Sequence, residues 1–255
     1  MRLVIFSDIH GNSYAFDAFL EKIKDMSYDY LVFCGDIFGY YYDQKKVIKQ
    51  LCRLSETGKL IWLKGNHDEY FLKLYKSEDC GHGCDVQFFN GNGNNCDEHT
   101  LIADYGHSYE QVKRRFTDKE AELVASHAPQ YVLETEGIRI GIFHGTPNDT
   151  LEGRLYPDKP VSAPDKYCEY DIVILGHTHC RMIRYEGKTL IVNSGSLGQP
   201  RDGNGYGFAV LDTALESVEF FNVEIDHKLL YQQIDRFDPD LKKLKDVLER
   251  ERTVK

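Results

Sequence analysis

The chain predicts an α/β fold: a mainly parallel sheet laid down by the first half, then a second sheet with antiparallel pairs. Three observations carry this. Short apolar runs alternate with amphipathic segments between Met1 and Leu63. From about Tyr131 onward, short strand-like runs follow one another, punctuated by Gly, Asp and Asn. Five apolar runs end directly in side chains that bind metals. These ends are Asp8-Ile9-His10-Gly11, Gly35-Asp36, Gly65-Asn66-His67-Asp68, Phe143-His144-Gly145 and Gly176-His177-Thr178-His179. In open α/β sheets the carboxyl ends of the strands are where ligands and chemistry sit.

The elements follow in order. Leu3 to Ser7 reads as a strand. Asn12 or Ser13 can cap a helix through about Asp25, with Phe16, Phe19, Leu20 and Ile23 on one face. Tyr30 to Cys34 is the next strand, and Asp43 to Leu54 a helix with Val47, Ile48, Leu51 and Leu54 spaced for one face. Leu60 to Leu63 completes a βαβαβ pattern, which implies parallel pairing. Ser77 to Thr100 is rich in Gly, Asn, Cys and Asp and reads as a surface loop or lid. Helical pattern resumes by about Tyr109, and Thr117-Asp118-Lys119-Glu120 has the form of a capping box. Strands are then expected at 131–134, 138–143, 172–175, 182–185, 190–193, 207–211 and 218–225. The last thirty or so residues read as outer helix broken near Pro239.

With 255 residues, 42% hydrophobic and 28% charged, the chain can bury a normal core. A single domain over 1–255 is expected, with 77–100 as a variable insert and 227–255 as a helical segment packed on it. The net charge of −10 argues against wrapping nucleic acid, and Lys113-Arg114-Arg115 reads as a solvated helix face. No run approaches the roughly 18 apolar residues of a membrane span, and no leader-like apolar segment precedes the first strand, so a cytoplasmic location is expected. Seven cysteines, an odd number, do not suit a full disulfide framework.

Asp, Asn and His without Cys suit a divalent ion such as Mn²⁺, Fe²⁺ or Zn²⁺. Asp8 and His10 are two apart, so on an extended segment they point the same way, and His177 and His179 repeat the spacing. Seven such ligands are too many for one tetrahedral site and suit two ions sharing a carboxylate. Singly, each has a plainer reading: an Asp after a strand caps a helix, and Asn66 or Asp68 fills a turn. The conjunction at five strand ends is what points to metal.

These five segments resemble the calcineurin-like metallophosphoesterases, in order and with none missing, from Met1 to about Asp212. Asn193-Ser194-Gly195-Ser196-Leu197-Gly198-Gln199-Pro200-Arg201-Asp202 resembles the small bacterial and archaeal single-domain branch. So does His144-Gly145-Thr146-Pro147 with Leu155-Tyr156-Pro157-Asp158. Cys180-Arg181 and Ser194 stand where relatives often carry Pro. The resemblance implies a four-layer α/β/β/α sandwich of two mixed sheets flanked by helices. It also implies two divalent ions, Mn²⁺ first, with Fe²⁺, Zn²⁺ or Ni²⁺ as alternatives. One would be held by Asp8, His10, Asp36 and His179, the other by Asp36, Asn66, His144 and His177, with Asp36 bridging. A metal-activated hydroxide would attack phosphorus in line. His67 would serve as the catalytic histidine, oriented by Asp68.

The implied activity is hydrolysis of phosphodiester or phosphomonoester bonds in a small phosphorylated molecule or nucleotide. A dinucleoside polyphosphate hydrolase, a protein phosphatase and a non-catalytic metal and phosphate sensor are the alternatives. His67 beside an intact ligand set argues against the sensor, which needs no proton donor. Weaker signals complete the picture. Asn12 reads as a phosphate contact or a helix cap, and Arg201 as a phosphate contact or a partner of Asp202. Tyr40, Tyr41 and Tyr42 read as an aromatic wall or as core. Cys80, Cys84 and Cys96 with His82 and His99 suggest a zinc cluster, though the spacing fits no standard finger.

Overall fold

The fold is taken from a computed structural model that describes residues 1–77 and 98–249, with the backbone of 88–89 and 95–96. β1 (Arg2–Phe6), α1 (Ser13–Ile23), β2 (Tyr30–Phe33), α2 (Gln44–Ser55), β3 (Leu60–Trp62) and α3 (Asn66–Lys76) form the expected alternation. A short ribbon of β4 (Phe88–Phe89) and β5 (Asn95–Cys96) precedes α4 (Glu98–Tyr105), a 3₁₀ turn (His107–Tyr109), α5 (Val112–Arg115) and α6 (Asp118–Ala125). β6 (Gln130–Thr135), β7 (Ile138–Phe143), α7 (Pro164–Tyr167), β8 (Ile172–Leu175), β9 (Arg181–Glu186) and β10 (Thr189–Ser194) follow. β11 (Gly207–Asp212), β12 (Ser217–Asn222), α8 (His227–Phe237) and α9 (Lys243–Asp246) complete the chain.

Two mixed five-stranded sheets result, in the orders β12-β11-β1-β2-β3 and β6-β7-β8-β10-β9. β1, β2 and β3 are parallel, as are β7, β8 and β10, while β11 and β12 return antiparallel. Side-chain alternation along each strand builds two cores at once. In β1, Leu3 and Ile5 face the second sheet, where they meet Ile140, Ile142, Ile174 and Val192. Val4 and Phe6 face outward onto Phe16 and Phe19 of α1. Strands buried on both faces read as continuous apolar runs, which is why they were legible in the sequence. The outer face of the second sheet is covered by α7 and the loop before it, with Phe143, Leu155, Tyr167 and Met182 beneath. The fold is thus the four-layer sandwich expected.

Several local readings hold, and some are corrected. Thr117 and Glu120 form the expected capping box. α3 and α4 were not anticipated. α3 starts at Asn66, inside a segment that reads as a turn, because Gly65 is extended and the Asp68 carboxylate accepts its N–H at 2.9 Å. Arg115 does not lie on a solvated face. Its guanidinium turns inward and donates to the carbonyls of His107, Ser108 and Tyr42 and to Gln44. At the C-terminal end, Leu230, Ile234 and Leu244 pack against Tyr40 and Tyr41. Cys34, Cys52, Cys168 and Cys180 form no disulfide among the described residues. The zinc-cluster candidates Cys80, His82, Cys84 and Cys96, with most of the 77–100 insert, lie outside the described residues.

Gly198 marks a place where the packing leaves no room. Its N–H donates to the Asp8 carbonyl at 2.9 Å, and a Cβ would overlap the Ile9 carbonyl oxygen. Gly198→Ala is therefore expected to lower stability by about 3 kcal/mol, the upper range for overpacking. The urea midpoint reads this directly, and an unchanged midpoint would show that the loop can move aside.

Candidate metal centre

All five segments sit at the carboxyl ends of parallel strands. Asp8 and His10 follow β1, Asp36 follows β2, Asn66 and His67 follow β3, His144 follows β7, and His177 and His179 follow β8. The sequence reading placed Asp8 and His10 on an extended segment. Instead, Asp8 (φ 55°), His10 (φ 50°), Asp36 (φ 68°), His177 (φ 65°) and His179 (φ 58°) all adopt left-handed backbone. Such conformations cost on the order of 1–3 kcal/mol each and persist only where surroundings over-determine them. Here the N–H groups of Asp8, Ile9 and His10 donate to the carbonyls of Gly35 and Asp36 at 2.9–3.0 Å, tying the first two loops together. The strain turns successive side chains into one buried space.

That space holds two overlapping groups. In the first, His179 Nε2 lies 3.3 Å from Asp8 Oδ1 and 3.0 Å from His10 Nε2. In the second, His144 Nε2 lies 3.0 Å from Asn66 Oδ1, and His177 Nδ1 is also 3.0 Å from that oxygen. Asp36 Oδ2 stands between the groups, 3.7 Å from His10 Nε2 and 3.5 Å from His144 Nε2. The structure thus brings together all seven candidate ligands, each nearly or fully buried.

The donor arrangement fits divalent cations. The Nδ1–H groups of His10, His144 and His179 donate to the carbonyls of Phe38, Cys34 and Gln199 at 2.6–2.7 Å. This fixes the tautomer and leaves each Nε2 lone pair turned inward. The Nε2 atoms of His10 and His179 then face each other lone pair to lone pair. Asp8 Oδ1 and Asp36 Oδ2 are buried without a hydrogen-bond donor. Inward lone pairs and undonated carboxylate oxygens are what bound divalent metal would satisfy.

Electrostatics agree. Burial, then the neighbouring carboxylates of Asp68 and Asp8, pushes the Asp36 carboxyl well above its usual value. Burial would also raise Asp8, but the charges of His179, His144 and His10 hold it below the usual carboxylate range. Burial, reinforced by neighbouring cationic and imidazole groups, pushes His10, His67 and His177 well down and lowers His179.

Metal-free protein should therefore lose stability toward acid. Below about pH 6.5 the unfolded chain binds protons at these histidines that the folded state refuses. Asp36 and Asp68, raised chiefly by burial, oppose this: the folded state keeps their protons while the unfolded chain releases them. Four imidazoles outweigh two carboxylates. Each histidine contributes up to about 1.4 kcal/mol of loss per pH unit below 6.5. Urea midpoints of chelator-treated protein at several pH values test this, and a midpoint rising toward acid would contradict it.

Other expected roles move. Asp68 does not touch the His67 ring. Its carboxylate accepts the N–H groups of Gly65, Asp36, Ile37 and Phe38, at 2.8–3.3 Å, clamping two ligand loops to each other. The His67 ring nitrogen Nδ1 is instead 2.6 Å from the Tyr109 hydroxyl. Asn12 is spent on structure: Oδ1 accepts from Ala15 N–H as a helix cap, and Nδ2 donates to the Gly198 carbonyl. Asp202 accepts from the Arg181 N–H, while Arg201 donates to the Tyr40 hydroxyl and to Gln199. Of the tyrosine trio, Tyr40 packs edge-on to His10, Tyr41 is core, and Tyr42 donates to Asp238. Sequence reasoning missed Arg154, whose Nε donates to His177 Nε2 at 2.9 Å, and Tyr109. A single Arg or Tyr in a polar stretch carries no spacing signal.

Comparison with known proteins agrees with this geometry. A sequence model of the calcineurin-like phosphoesterase superfamily domain matches residues 1–216. An uncharacterized protein of Methanocaldococcus jannaschii is 25% identical over 250 residues, covering 91% of each chain. The fold is similar to the crystal structure of a hypothetical protein from Pyrococcus horikoshii, with a TM-score of 0.68 at 19% identity over 97% of this chain and 94% of that one. It is also similar to a metallophosphoesterase from Sphaerobacter thermophilus, with a TM-score of 0.69 at 20% identity over 97% and 98% of the two chains. The strand-end clusters and the match over most of the chain have one meaning: the chain belongs to the calcineurin-like phosphoesterase superfamily and is a metal-dependent phosphoesterase.

Proposed function

We propose that the protein hydrolyses phosphodiester or phosphomonoester bonds of a small phosphorylated substrate at a site for two divalent ions. One would be held by Asp8, His10, Asp36 and His179, the other by Asp36, Asn66, His144 and His177. The observation that carries this reading is Asp36 Oδ2, buried, undonated and set between the two histidine groups. When bound, the ions supply charge neutralisation at the phosphoryl group and acidify a water for attack. Mn²⁺ is the proposed metal, since the oxygen and imidazole donors lack thiolate.

The chain's own residues do the rest. His67, one ring nitrogen of which lies within 4.8 Å of ligand atoms on His10 and Asp36, donates a proton to the leaving oxygen. Arg201, held against Tyr40 beside His10 and His179, presents a cation to a phosphoryl oxygen. Arg154 offers a second cation on the His177 side. Tyr40, close to both His10 and His67, walls the leaving-group side. The C-terminal segment, as far as residue 249, belongs to the same single domain, and no helix among the described residues is long and apolar enough to cross a membrane.

One panel tests the reading. Chelated protein reloaded with Mn²⁺ is assayed on p-nitrophenyl phosphate, bis-p-nitrophenyl phosphate and a dinucleoside tetraphosphate. Metal-dependent turnover of either aryl ester supports the proposal. Turnover of the tetraphosphate alone would move it to pyrophosphate bonds. Full metal loading with no turnover of any of the three would favour a sensor.

A further inference from the structure

The segment from Glu98 to Phe116 carries none of the strand-end motifs, yet it reaches the centre of the site. Tyr109, at its middle, is fully buried. Its hydroxyl lies 2.6 Å from His67 Nδ1 and 3.3 Å from the His67 carbonyl oxygen, and the two rings lie nearly parallel, 6.1 Å apart. Tyr40, Tyr70 and Tyr105 also pack against the His67 ring, Tyr105 edge-on, and the hydroxyls of Tyr40 and Tyr70 meet Arg201 and Glu152. Asp68 is committed to four backbone N–H groups. Tyr109 is thus the group that meets the imidazole at Nδ1.

The turn that delivers Tyr109 is held from two sides. Gly106 adopts φ +80°, and a Cβ there would overlap the Asp238 carboxylate. Asp238, buried at the end of α8, accepts the His107 N–H at 3.0 Å and the Tyr42 hydroxyl at 2.5 Å. From the other side the Arg115 guanidinium grips the His107 and Ser108 carbonyls. The C-terminal segment, beyond the part of the chain that matches the family, therefore braces the turn behind His67.

We propose that Tyr109 is a positioning residue for His67: its hydroxyl holds the imidazole at Nδ1, so that Nε2 is the nitrogen presented to the leaving oxygen. The physical reason is rotational. A histidine ring has two broad χ2 orientations, which exchange Nδ1 with Cδ2 and Nε2 with Cε1. A buried hydrogen bond to Nδ1 selects one of them, because the flipped ring would set a carbon against the tyrosine hydroxyl and leave it only the longer bond to the His67 carbonyl. This rests on the reading of His67 as the proton donor.

The test pairs a double-mutant cycle with a spectroscopic readout. With an alkyl phosphate ester, Tyr109→Phe is expected to lower kcat about tenfold with KM unchanged, a part of the roughly 10²–10⁴-fold that general acid catalysis supplies. In a His67→Asn background the same substitution should do nothing further, since its effect runs through the imidazole. In Zn²⁺-loaded protein with ¹⁵N-labelled histidine, Tyr109→Phe should move the ring nitrogen resonances of His67 and leave those of His144 in place. An equal loss in the His67→Asn background would overturn the proposal, because Tyr109 would then act on the fold at large. Unmoved His67 resonances would overturn it as well. Undiminished kcat in His67→Asn alone would overturn the proton-donor reading itself, and with it the catalytic meaning of the hydrogen bond.

Discussion

Asp36→Asn is expected to strip both ions from the protein and to lower turnover on the order of 10³-fold, the scale of losing a principal electrostatic element of a site. Asp36 Oδ2 stands 3.7 Å from the first histidine group and 3.5 Å from the second, while Oδ1 accepts the His67 N–H at 2.9 Å. An amide retains one oxygen but loses the charge, and neither ion would keep its shared ligand. Asp8→Asn should differ. Asp8 Oδ1 lies 3.3 Å from His179 and Oδ2 accepts the His177 N–H, so its loss should empty mainly one position. Counting metal on the purified variants decides: two equivalents in Asp36→Asn would end the bridging assignment. Metal-free Asp36→Asn should also be at least as stable as the parent at neutral pH. Its carboxyl is raised by burial and by Asp68 and Asp8, so its ionised form costs stability there.

The second large effect is at His67. His67→Asn should lose about 10²–10⁴-fold on alkyl or nucleoside esters and far less on p-nitrophenyl esters, because only a poor leaving group needs its proton. Both ions should remain, since His67 is not in the proposed ligand set. Equal losses on both ester types would mean that His67 stabilises phosphoryl charge instead. Asp68→Asn should not share the leaving-group pattern. Its carboxylate accepts backbone N–H groups of the Asp36 and Gly65 loops, so the expected loss is about 1–3 kcal/mol of stability, together with metal affinity.

The path from residues to site was legible where periodicity and burial speak together. β1, β2, β7 and β8 were readable because strands covered on both faces carry apolar runs over their buried parts. The ligand types were readable because each stands directly after such a strand. α3 was not readable, since its first turn is built from Asn66, His67 and Asp68, whose local preference is for turns. The left-handed backbone at Asp8, His10, Asp36, His177 and His179 was invisible as well. No sequence pattern announces a conformation that is locally unfavourable and held only by bonds between loops.

The sequence by itself thus determined the alternation of strands and helices, the two sheets, and which side chains arrive at the strand ends. These depend on local pattern and on transfer of apolar groups from water. Tertiary structure alone decided what stands behind each of them. Asp68 clamps loops because the Gly65 and Asp36 backbones converge on it across 29 residues of chain. Asn12 is consumed by a cap and by the distant Gly198 carbonyl. Arg154 meets His177, and Tyr109 meets His67 by way of a turn pinned by Asp238. Apart from the local bonds of Ala15 to Asn12 and Gly65 to Asp68, these are hydrogen bonds between residues far apart in the chain, and such a bond leaves no period, spacing or composition for a sequence to display.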